Sequence, residues 1–179
     1  MLTSVSPGWA GAQRRLHWWT AALIVVTFPL GFLMVGLPTS VLLLKFLLYQ
    51  LHKSLGITVI ILVVIRLAVR VRVGRPPWPE MPAWQRHAAS VAHAMLYGLL
   101  LVVPILGYLT AASAPEGVPT LFFGIPVPHV IGPDAALFAV LRPCHKAAAI
   151  ALVVLAAGHA AVALHHYLLG RISFVRMSG

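Results

Sequence analysis

Four long apolar stretches, nearly free of charge, alternate along the chain with short segments rich in proline, arginine and polar residues. A helix needs about twenty apolar residues to cross a hydrocarbon core roughly 30 Å thick, and there every backbone polar group must bond internally. The pattern predicts membrane-spanning helices at about 15–37, 46–71, 84–112 and 144–170. Arg14 and Arg15 precede the first, and Trp18 and Trp19 suit an interfacial aromatic belt. Pro29 and Pro104 fall inside spans, where they predict kinks. Pro76, Pro77, Pro79 and Pro82 make the second connection a short stiff loop. The third connection, about 113–143, interleaves prolines with Leu121, Phe122, Phe123 and Ile125, which predicts a cap lying over the membrane surface. The expected fold is all-α, an integral membrane four-helix bundle forming one domain over 1–179.

Composition agrees with this pattern. The chain is 60% hydrophobic and 9% charged, against about 25% charged in an ordinary soluble domain. Its formal net charge of +10 sets thirteen Lys and Arg against Glu80, Glu116 and Asp134. These basic residues flank apolar spans, so they speak for lipid headgroups and topology rather than nucleic acid. Arg14, Arg15, Arg66, Arg70, Arg72, Arg75, Arg86, Arg171 and Arg176 fall on one side, and Lys45, Lys53, Arg142 and Lys146 on the other. The positive-inside rule then places both termini in the cytoplasm. The first span is too long for a signal-peptide core and reads as retained. Cys144 is the sole cysteine, so neither a disulfide nor covalent haem attachment through paired cysteines is available within the chain.

The histidines carry the chemistry. Histidine inside an apolar span is costly and marks a functional site by default. His145 and His159 are fourteen residues apart in the fourth span, on nearly one helix face and roughly 21 Å apart in depth. The alternating directions of the spans put His52 at the level of His145, and His17 at the level of His159. Two facing pairs at two depths meet the needs of two bis-histidine haems, whose irons each take two axial nitrogens. A histidine packed in a core by a hydrogen bond is the bland alternative for any one of the four. A single zinc site is the other, but zinc gathers its ligands within a few ångströms, which the spacing of His145 and His159 opposes. Small residues around His159, and Gly56 one turn past His52, would let a flat ring or another helix approach closely. Lys53 and Lys146 follow the outer histidines directly, suited either to anionic haem propionates or to lipid headgroups. His93 and His166 lie toward the cytoplasmic side, where a quinone needs proton donors, or else they are interfacial histidines. His87, His129 and His165 are assigned no role.

Several motifs in order, R-L-H-W-W from Arg15, L-H-K-S-L-G from Leu51, R-L-A-V-R from Arg66, A-H-A-M-L-Y-G from Ala92, P-I-L-G from Pro104, P-C-H-K from Pro143 and H-H-Y from His165, resemble the bacterial cytochrome b561 family across nearly the whole chain. The resemblance implies two b-type haems, one on His17 and His159 and one on His52 and His145. It implies electron transfer between an outer-face donor, such as a periplasmic redox protein, and the ubiquinone pool. One branch of the family oxidises superoxide and reduces ubiquinone, with quinone-site residues matching His93 and His166 here. Related bundles also serve as haem-bearing anchor subunits of soluble redox enzymes.

Overall fold

The computed structural model describes residues 10–74, 76–78 and 81–169. Arg75, Pro79, Glu80, the segment before Ala10 and the basic tail with Arg171 and Arg176 lie outside the described residues. Four helices dominate: α1 (Gly11–Gly36), α2 (Leu42–Val73), α3 (Ala83–Ser113) and α4 (Ala135–Leu168). All four are long and apolar enough to cross a membrane. A 3-10 turn at Thr39–Val41 leads into α2, and a two-stranded antiparallel hairpin, β1 (Thr120–Phe122) and β2 (Ile125–Val127), lies between α3 and α4. The chain runs up and down, α1 packing on α2, α2 on α3 and α3 on α4, with α4 meeting α1 sparsely. One end of the bundle carries the α2–α3 connection with Arg66, Arg70 and Arg72, and the other carries the hairpin.

Helix ends use specific partners. Gln13 accepts from Ala10 N–H at 3.2 Å and donates through Nε2 to the Gly74 carbonyl at 2.8 Å, tying the start of α1 to the end of α2. Gly74, at φ +80°, turns the chain out of α2 while its N–H bonds Arg70 O. At the other end, Lys45 Nζ donates to Leu37 O at 2.8 Å, and Asp134 N–H donates to Ser113 O at 3.0 Å.

The fourth span starts earlier than predicted. Helix α4 begins at Ala135, not near 144, and runs through Pro143. Asp134 supplies the start, its Oδ1 accepting from Leu137 N–H at 2.9 Å. Packing against α3 holds the helix past the proline. The second span likewise begins at Leu42 rather than 46. The predicted cap is a hairpin with a two-residue turn at Phe123 (φ 47°) and Gly124 (φ 93°), both in the left-handed region that such turns require. Gln50 Nε2 donates to Pro119 O, and Gln50 Oε1 accepts from Leu121 N–H. Ser54 Oγ donates to Leu121 O and accepts from Phe123 N–H. Two buried polar residues of α2 thereby carry the strand that crosses them.

Most large apolar side chains point outward, Val71 at 84% exposure among them, as lipid-facing residues do. The dry interior is a small layer at mid-bundle: Val59, Val63, Leu100 and Leu152, with Leu23 and Ile24 against it.

Candidate functional site

The histidines flank that layer. Val59 lies seven residues past His52, Leu100 seven past His93, and Ile24 seven past His17; Leu152 lies seven from both His145 and His159. Seven residues are two helical turns on nearly one face, so the apolar layer separates two histidine levels.

At the hairpin end His52 of α2 faces His145 of α4, ring centroids 6.3 Å apart and planes at 88°. At the Arg-rich end His17 of α1 faces His159 of α4, centroids 6.4 Å apart and planes at 82°. A metal–imidazole bond is about 2 Å and the ring centroid roughly 1 Å beyond the nitrogen, so two imidazoles trans on one iron place their centroids about 6 Å apart. Both pairs have that separation. Among the described residues no group of three or more His, Cys, Asp or Glu converges as a compact metal site.

The hairpin-end pair is held by one device used twice. His52 Nδ1 lies 3.1 Å from Thr27 O on α1, and His145 Nδ1 lies 2.9 Å from Val103 O on α3. A carbonyl only accepts, so each Nδ1 carries the proton and each Nε2 is left with a free lone pair, the arrangement of a metal-ligating histidine. Four residues beyond each carbonyl stands a glycine. A Cβ on Gly31 would lie 3.1 Å from His52 Cε1, and one on Gly107 2.9 Å from His145 Cε1. These glycines give the imidazoles their seats.

The Arg-rich level is lined differently. His17 Nδ1 is buried with no hydrogen-bond partner among the described residues. His93 of α3 lies against His159, centroids 5.3 Å apart, and Trp78 stacks over His93 at 6.5 Å with planes 24° apart. Arg66 and Arg70 both lie over the Tyr97 ring, their guanidinium carbons 5.1 and 5.6 Å from its centroid. His166 contacts His165 at 5.8 Å, and among the described residues no ring contact joins it to His93.

Gly31, Gly107 and Arg66 were not singled out as site residues from the sequence, although a signal existed. Each lies fourteen residues beyond a histidine of its own helix: His17, His93 and His52, respectively. The spacing that links His145 to His159 thus recurs on all four helices. Of the lysines, Lys53 donates to Pro119 O at 3.2 Å and Lys146 lies 5.8 Å from the Phe32 ring centroid. His129, assigned nothing, has Nε2 2.9 Å from Thr120 Oγ1, beside Tyr108.

These features define a multi-pass helical membrane protein with interior histidines facing one another in pairs. The model of the prokaryotic cytochrome b561 family matches residues 8–179. The chain is 34% identical over 171 residues to "Cytochrome b561 homolog 1" of Escherichia coli K12, covering 92% of this chain and 93% of that protein. It is 33% identical to "Cytochrome b561 homolog 2" of the same organism, covering 89% and 84% of the two chains. A "Probable superoxide oxidase CybB" of Yersinia pestis is 27% identical, with 92% of each chain covered. The chain belongs to the prokaryotic cytochrome b561 family. It is a bacterial membrane protein of electron transfer, and membership implies binding of b-type haem.

Proposed function

We propose that this single-domain chain carries electrons across the bacterial inner membrane between two b-type haem sites. One site is made by His52 and His145 at the hairpin end, the other by His17 and His159 at the Arg-rich end. The carrying observation is the pair of histidine–histidine separations, 6.3 and 6.4 Å, on opposite sides of the apolar layer. Bound haem supplies a one-electron iron couple. The four histidines would hold the haems, Thr27 O and Val103 O orient the His52 and His145 rings through Nδ1, and Val59, Val63, Leu100 and Leu152 keep water out of the middle. Loop charge supports both termini in the cytoplasm, which puts the donor at the hairpin end and ubiquinone at the Arg-rich end. His93, roofed by Trp78, is the nearer candidate for the quinone side; His166 lies two turns beyond His159.

Purified protein from haem-replete cells should contain two haems per chain. His159→Ala should remove one spectral component and leave the other. Equal loss of both would overturn the pairing, and absence of the Soret and α bands would overturn the haem assignment.

Superoxide as the donor is a second reading, favoured by the name of the Yersinia pestis relative. Two superoxide ions would become two dioxygen molecules as one quinone takes two electrons and two protons. Rapid reduction by superoxide, followed by quinol formation, supports it; reduction no faster than with denatured protein removes it.

A further inference from the structure

We propose that Arg66 is the internal counter-cation of the His17–His159 site, pairing with a carboxylate of the haem bound there and favouring reduced iron at that level. This rests on the two-site reading above. Arg66 stands fourteen residues past His52 and so belongs to the opposite histidine level. Its side chain is half-buried, and its guanidinium carbon lies 5.1 Å from the Tyr97 ring centroid. The carboxylates among the described residues are Glu116 and Asp134, both in the α3–α4 connection at the far end of the bundle, with Asp134 capping α4. A guanidinium taken out of water needs an anion, and no described side chain brings one to Arg66.

The chemistry selects the partner. A guanidinium is a planar fork that matches a carboxylate through two parallel hydrogen bonds. The Tyr97 ring lies against the guanidinium as a cation–π neighbour but carries no full negative charge to neutralise it. A b-type haem carries carboxylates on its propionate arms, so the ligand that the histidines call for also brings an anion that no described side chain offers the arginine. The hairpin-end level has cations of its own, but Lys53 donates to Pro119 O and Lys146 lies against the Phe32 ring. Adding an electron to iron lowers the positive charge of the site by one, and neutralising a nearby carboxylate removes a negative charge that opposes this. Arg66 thereby raises the midpoint of the Arg-rich level above what it would be without that charge.

The test is a redox titration of purified protein followed in the α band, the component missing from His159→Ala protein marking the Arg-rich level. Arg66→Gln should move that component to lower potential and leave the other in place, with Arg66→Lys between the two. An unmoved component in Arg66→Gln protein that retains both haems overturns the inference. Should Arg66→Gln lose that haem, retention in Arg66→Lys supports a charge pair, and equal loss in both variants overturns it. A wild-type protein with one haem, or His159→Ala protein with two, would instead sink the two-site reading, whatever Arg66 does.

Discussion

Gly107 lies so close to His145 that a Cβ added to it would stand 2.9 Å from the imidazole Cε1. The same imidazole is held by Val103 O, 2.9 Å from Nδ1. His145 thus has one seat, made by a carbonyl and by the glycine one turn beyond it. Gly107→Ala must push the ring off that seat, at a cost of about 1–3 kcal/mol. The expected outcome is loss of haem from the hairpin-end site with the other component retained, read from α-band amplitudes. Gly31→Ala meets His52 Cε1 at the looser 3.1 Å and should lose less.

The hairpin is anchored to the turn of α2 that carries His52. Gln50 and Ser54 straddle that histidine, and each makes two hydrogen bonds to backbone between Pro119 and Phe123. Both residues are buried, so Ser54→Ala leaves Phe123 N–H and Leu121 O without their partner. The cost is about 1–3 kcal/mol. Amide hydrogen exchange should rise across 119–130, with little change in α1 or at the Arg-rich end. Uniform acceleration through all four helices would contradict a local anchor.

Leu152 and Val154 are two residues apart on α4 and play opposite parts. Leu152 is 5% exposed in the layer between the histidine levels, and Val154 is 66% exposed toward lipid. Leu152→Ala should lower stability in detergent by about 2 kcal/mol through the cavity it leaves. Val154→Ala should stay within about 0.5 kcal/mol. Thermal unfolding of the two variants side by side checks the contrast; similar midpoints would deny that the apolar layer holds the bundle together.

His129 gives the hairpin end a pH dependence. Desolvation and then the nearby Lys53 charge hold its pKa below the usual 6.5. As pH falls, the unfolded segment takes up its proton before the folded one. The contribution of the neutral ring, which sits beside Thr120 Oγ1, is therefore present above pH 6.5 and lost as pH falls below it. Protection of the hairpin amides, measured relative to the intrinsic exchange rate at each pH, should fall on going from neutral to acid pH, and His129→Gln should flatten that fall.

The number of spans, their membrane character and the pairing of His17 with His159 and His52 with His145 were legible in the sequence. Hydropathy and rise per residue are properties of one helix at a time, and the chain direction alternates from span to span. The His145–His159 spacing alone placed two levels in the bundle. What tertiary structure decided was rotation and neighbourhood. That Gly107 rather than another small residue seats His145, that His93 joins His159 and not His166, and that Arg66 turns inward all depend on how helices pack against one another. The start of α4 belongs to the same class. Pro143 read locally is a helix boundary, but Asp134 caps the chain a turn and more earlier, and contact with α3 carries the helix through the proline. Depth is written along one dimension; which faces meet depends on packing energy shared among four helices, and no single stretch of sequence contains it.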